Sequence, residues 1–228
     1  LGVLWPILQP VLKLIVISVV FGRLVGVPSD GTPYTVSVFA GLLPWLFFSE
    51  AVTRSSQSMV SNVSLVTKVS FPRIILPMAS AGAVIVDFMF SFLVLAGLML
   101  WYGIAPGWSF LAVIPLSVIV VFTALGAGVL LSALTVFYRD FRYVVPFGLQ
   151  LWFFVTPVIY SVGVIPEKWR WAMALNPMTG VVDAFRSAIF GTPFNLSVFA
   201  VSVAVAGVLL TVSLIYFCRT EDYFADAI

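Results

Sequence analysis

An all-α protein that crosses a membrane repeatedly is the fold class predicted here, and three observations predict it. Of the 228 residues, 62% are hydrophobic. Only 9% are charged, against the roughly 25% usual for a soluble domain. The apolar residues fall in long runs, several of about 20 residues or more, the length a helix needs to cross the hydrocarbon core. Proline, glycine and charge divide the chain into six such runs, so the expectation is six transmembrane helices in a single transmembrane domain, residues 1–228.

The first predicted span covers residues 2–25 and ends at Val27-Pro28-Ser29-Asp30-Gly31-Thr32-Pro33, a turn rich in helix breakers. It lacks the basic flank of a secretory signal peptide. The chain starts at Leu1 rather than Met and is apolar at once, so a further segment before Leu1 is expected. The second span is predicted over 34–62 and the third over 76–102, closed by Gly103-Ile104-Ala105-Pro106-Gly107. The fourth covers 110–137. After Tyr138-Arg139-Asp140-Phe141-Arg142 the fifth runs over 143–162, and the sixth over 196–217.

Residues 163–195 are amphipathic and interrupted. Pro166 opens a short helix containing Glu167, Lys168, Trp169, Arg170 and Trp171; Asn176-Pro177 then supplies an N-cap followed by proline at the first helical position. This second piece, 14 residues to Phe190 before Gly191-Thr192-Pro193, is too short to span at about 1.5 Å per residue. A pair of short re-entrant or interfacial helices before the last span is expected. With six spans, Lys68, Arg73, Arg139, Arg142 and Arg219 share one side, opposed by Arg23, Lys168, Arg170 and Arg186. Three of those opposing charges sit on the amphipathic insertion, which favours cytoplasmic termini.

Composition also removes chemistries. Without histidine, no Ser-His or Cys-His nucleophile pair and no His-ligated metal site can be built. Cys218 stands alone, so an internal disulfide is impossible. A net charge of +2 is too small for a nucleic-acid partner. No G-x-x-x-x-G-K-[ST] phosphate loop occurs, so any ATP-driven work needs a motor on another chain.

The remaining polar residues are the candidates for function. Glu50 and Arg54 stand four apart in the second span, acid first, the favourable order for an intrahelical pair. A charge at mid-membrane costs about 2.5–3.5 kcal/mol on the insertion scale, so they belong either to a polar cavity or subunit contact, or to a helix already outside the membrane. Asp87 in the third span reads as a polar contact within the bundle or as part of a path. Ala79 and Ala83, and Ala124, Gly128 and Ser132, repeat every four residues and allow close helix packing. Phe147, Gln150, Trp152, Phe153, Phe154 and Tyr160 make the fifth span aromatic, and rings along a passage bind weakly and repeatedly, as conduction requires. Lipid-facing or packed aromatics are the alternative. The connector over 64–73 is either a docking element for a motor or a loop with topology-setting charges.

Several segments together resemble one family. Leu1-Gly2-Val3-Leu4-Trp5-Pro6-Ile7-Leu8-Gln9-Pro10, Phe39-Ala40-Gly41-Leu42-Leu43-Pro44-Trp45 with Phe47-Phe48-Ser49, Thr67-Lys68-Val69-Ser70-Phe71-Pro72-Arg73, Phe137-Tyr138-Arg139-Asp140, Trp152-Phe153-Phe154-Val155-Thr156-Pro157-Val158-Ile159-Tyr160 and Asn176-Pro177-Met178 occur in order along the chain. In this it is similar to the permease subunits of bacterial type-2 ABC transporters that export O-antigen, capsule and related polysaccharides.

The resemblance implies a homodimer in the bacterial inner membrane, with two copies of a separate ATP-binding subunit that use ATP and Mg. This chain itself would bind no cofactor or metal and catalyse nothing. It also implies a lipid-linked polysaccharide substrate in contact with membrane lipid. Carried over, Trp152, Phe153, Phe154, Tyr160, Phe147 and Gln150 become channel residues. Lys68, Phe71, Pro72 and Arg73 become the ATPase-coupling element. Pro166, Trp169, Trp171, Asn176, Pro177 and Arg186 become an outer gate, and Glu50 with Arg54 a polar cavity or subunit contact. Family members begin with an interfacial helix, expected before Leu1. The rival readings are a type-2 permease for a drug or small lipid, a polytopic membrane enzyme, and a secondary transporter. The enzyme would need converging acids, and Glu50, Asp87 and Asp183 lie on separate segments. The secondary transporter would need matching internal repeats.

Overall fold

Proline, glycine and asparagine decide where the helices begin and end. The computed structural model describes residues 5–26, 32–69 and 71–224, and every regular element among them is helical. Helix α1, Trp5–Ile17, widens into a π-helical turn, Ser18–Leu24, and stops at Gly26, whose φ of 67° suits glycine. The turn expected to follow lies mostly outside the described residues. Pro33 precedes α2, Tyr34–Ser61, which is followed by the short α3, Val63–Lys68, and by α4, Ile75–Trp101. Gly103, at φ 67°, ends α4. A 3-10 turn, Trp108–Ala112, leads into α5, Val113–Phe137; α6 is Phe141–Val155 and α7 Glu167–Ala174. Helix α8, Pro177–Phe190, precedes α9, Leu196–Thr220, which continues into the turn Glu221–Tyr223.

Among the described residues, five helical segments are long and apolar enough to cross a membrane: Ile7–Leu24, Tyr34–Ser61, Ile75–Trp101, Trp108–Phe137 and Leu196–Tyr223. They correspond to five of the six expected spans. The helix expected over 143–162 has other bounds: α6 has 15 residues, about 22 Å of helix, and stops at Val155. Pro157 is the reason. It has no N–H for the Phe153 carbonyl and pushes Thr156 into the extended region, at ψ 136°. Carbonyls at the end of the helix take side-chain donors, that of Trp152 in addition to the Thr156 N–H at 2.9 Å. The Tyr160 hydroxyl donates to those of Phe154 and Val155, at 3.2 and 3.1 Å, and the Thr156 hydroxyl to that of Trp152, at 3.0 Å.

Packing centres on α2. Of its apolar stretch 72% is buried, against 11% for α1, so α2 is the axis and α1 lies on the outside. Close approach rests on small residues, because helices in lipid associate through packing rather than by escaping water. Gly128 of α5 meets α2 where a Cβ would lie 2.7 Å from that of Ser55, and Gly126 meets the backbone of Leu210 in α9. The Ala124, Gly128, Ser132 stripe therefore packs within the chain. Ala79 and Ala83 face outward. The Ser55 hydroxyl donates to the Pro77 carbonyl at 2.8 Å, tying α2 to the start of α4.

Helix α8 is buried on nearly every side. The Asn176 side chain accepts from the Met178 N–H at 3.0 Å, Pro177 opens the first turn, and Gly191 at φ 70° closes the last. Gly180 lets α8 reach α9, since a Cβ there would sit 2.7 Å from the Phe199 Cα. In the same place the Ser202 hydroxyl accepts from the Gly180 N–H at 3.0 Å, satisfying a donor of the first helical turn.

Candidate functional site

Glu50 and Arg54 form the pair their spacing predicts. Arg54 Nε donates to Glu50 Oε1 at 2.7 Å, and Arg54 Nη2 reaches Asp87 Oδ2 of α4 at 3.4 Å. The three side chains line a groove of about 470 Å³ between α1, α2 and α4, together with Gln9, Lys13 and Ser91. Formal charge there balances, with Lys13 and Arg54 against Glu50 and Asp87. Lys13 was passed over in the sequence because it falls inside an apolar run; its four-residue offset from Gln9, which puts both on one face, was the available signal.

Glu50 and Lys13 also line a second groove of about 460 Å³, between α1, α2 and α6. Here Trp45, Phe153 and Phe154 present rings, while Thr53 and Gln150 present hydrogen-bonding groups. Pro146, Leu149, Gln150, Phe153 and Phe154 recur at intervals of three and four, one face of α6. Of the expected channel residues, Gln150, Phe153 and Phe154 thus meet at one groove. Trp152 turns inward instead, its ring edge-on to Phe48 at 5.5 Å and to Trp45 at 6.4 Å. Phe147 is exposed on the outer side of α6, and Tyr160 lies beyond the helix end. Trp45 was missed, because one tryptophan in an apolar run carries no signal of the face it occupies.

At the α3 end, Lys68 and Pro72 are exposed and Phe71 is half-buried. The Arg73 guanidinium donates through Nη1 to the Glu221 carbonyl, joining the α3–α4 connector to the turn after α9. Beneath it Met59, Val66, Val136, Phe217 and Phe224 form an apolar cluster separate from the main core. Cys218, beside Phe217, is exposed.

At the opposite end of α2, Arg186 of α8 is 9% exposed. Its Nη1 donates to the carbonyls of Pro157 and Tyr160 at 2.7 and 2.8 Å, its Nη2 to that of Val158, and its Nε to that of Ser37 in α2 at 3.1 Å. The backbone broken at Pro157 is thereby held to both α8 and α2. Gly41 makes room, since a Cβ there would lie 3.0 Å from Arg186 Nη2. The Asn176 amide donates to the Thr156 hydroxyl at 2.9 Å, a further tie between the break and α8. Trp169 and Trp171 of α7 are exposed, and Pro166 caps that helix.

Residues 1–190 match the family described as ABC-2 type transporter. The chain is 29% identical over 228 residues to the O-antigen export system permease protein RfbA of Klebsiella pneumoniae, covering 99% of this chain and 87% of that one. With RfbA of Myxococcus xanthus the identity is 30% over 233 residues, covering 100% and 88%. The polysialic acid transport protein KpsM of Escherichia coli is 23% identical over 193 residues, covering 83% of this chain and 74% of KpsM. A match over most of the sequence, on a multi-pass bundle of apolar helices with polar grooves beside its central helix, places the chain in the ABC-2 type transporter family.

Proposed function

We propose that the chain is the membrane subunit of an ATP-driven exporter of lipid-linked polysaccharide, of the O-antigen or capsule type, in the bacterial inner membrane. The relatives' names supply the substrate class. The observation that carries it onto this chain is the groove where Trp45, Phe153 and Phe154 face Glu50, Thr53 and Gln150. Sugar rings offer C–H faces to aromatic surfaces and hydroxyls to carboxylates and amides, so such a wall suits a glycan passing one residue at a time.

In this reading two copies of the chain form a homodimer, and α6 continued by residues 156–165 makes the sixth crossing. The α3 end is cytoplasmic. Two separate ATP-binding subunits dock there on Lys68, Phe71, Pro72 and Arg73, and they alone hold ATP and Mg. The α7–α8 pair, from Pro166 through Trp169, Trp171, Asn176 and Pro177 to Arg186, forms the outer gate. ATP binding drives the bundle only through different contacts in its two arrangements, because a ligand moves an equilibrium by its difference in affinity.

Reconstitution in vesicles with the cognate ATPase tests the substrate class. A lipid-linked glycan of defined length should raise ATP hydrolysis and accumulate on the far side. Stimulation by a hydrophobic drug and none by glycan would replace polysaccharide with a small molecule.

A further inference from the structure

Helix α3 has six residues, far below the roughly 12–15 at which an isolated helix becomes stable in water. Its position must come from tertiary contact. Val63 and Leu65 are exposed, and Val66 is the buried residue of α3. Val66 enters the apolar cluster that Phe224 closes. Phe224 is fully buried, its ring edge-on to Phe217 of α9 at 5.1 Å and to Phe137 of α5 at 5.7 Å. The other end of the connector is tied to the same turn, since Arg73 donates to the Glu221 carbonyl. That carbonyl lies just past the C-terminus of α9, where the partial negative charge of a helix favours a cation. Val66 and Phe224 thus share one apolar cluster, while Glu221 holds the far end of the connector through Arg73.

We propose that the segment from Glu221 to Phe224 is a positioning element that holds α3 and the connector behind it at a fixed angle on the ends of α2, α5 and α9. Phe224 and Arg73 act here as positioning residues. The contact stands without reference to transport. Its consequence for export rests on the proposed docking of an ATPase at α3.

Hydrogen exchange of the intact transporter, with its ATPase and without nucleotide, reads the position of α3 directly, and export per ATP hydrolysed reads the consequence. Phe224→Ala should speed exchange of the Val63–Lys68 amides about tenfold, because it empties the cluster under Val66. Phe224→Leu, which refills it, should restore most of the protection and of the export ratio. Arg73→Gln removes only the carbonyl bond and should speed exchange about threefold. It also provides the reading if the alanine variant fails to assemble. Unchanged α3 exchange in the assembled variants would overturn the positioning role. Faster α3 exchange with export per ATP unaltered would support it while overturning the docking of the ATPase at α3.

Discussion

Arg186 and Arg54 are both arginines on helices of an apolar bundle, yet their surroundings assign them different work. Arg186 is nearly enclosed and gives its donors to four main-chain carbonyls. Three of those carbonyls lie in the break that Pro157 creates, so the guanidinium fork supplies hydrogen bonds that a continuous helix would have made for itself. Arg54 has a side chain 45% exposed and gives its donors to two carboxylates, themselves 42% and 34% exposed. Partners of that kind can be exchanged for water or for an anionic ligand without leaving backbone unsatisfied. One arginine is part of the scaffold; the other stands half-exposed at a polar groove, paired through side chains alone.

The sharpest way to break this contrast is to remove both cations. Arg186→Met should cost about 3–5 kcal/mol, because it strands buried carbonyls. Thermal unfolding in detergent measures it, and Arg186→Lys should recover only part, since an ammonium cannot span the same fork. The two aromatic neighbours on α6 offer the next largest effect. Trp152→Ala should lose about 2–3 kcal/mol by opening a hole against Phe48 and Trp45, while Phe154→Ala should leave the melting temperature nearly unchanged and lower glycan transport. Equal melting temperatures for the pair would remove the distinction between packing and groove residues. The smallest stability change is expected for Arg54→Gln, within about 1 kcal/mol, together with a several-fold loss of transport. A loss of stability comparable to that of Arg186→Met would make Arg54 a scaffold residue too.

Much of the architecture could be read from residue types. The Asn176-Pro177 start and Gly191 stop of α8, the glycine after α4 and the four-residue spacing of Glu50 and Arg54 each have a local cause, and each stands as expected. The end of α6 was readable as well. Pro157 marked it, but an unbroken apolar run on both sides let the length criterion outweigh the proline. Other features left no local trace. The partners of Arg186 are carbonyls 26 to 149 positions away, and carbonyls belong to every residue, so no pattern could single them out. Which aromatics of 152–154 face a groove and which face the core depends on where α2 and α1 pass, and the sequence of α6 alone does not contain that.

Cys218 gives the molecule a reporter of its own. It is the single cysteine in these 228 residues, it is exposed, and it adjoins Phe217, on which the Phe224 ring stands edge-on. A maleimide dye or nitroxide attached there perturbs no buried side chain. Its signal would follow movement at the foot of α9 through a catalytic cycle in the otherwise unaltered chain.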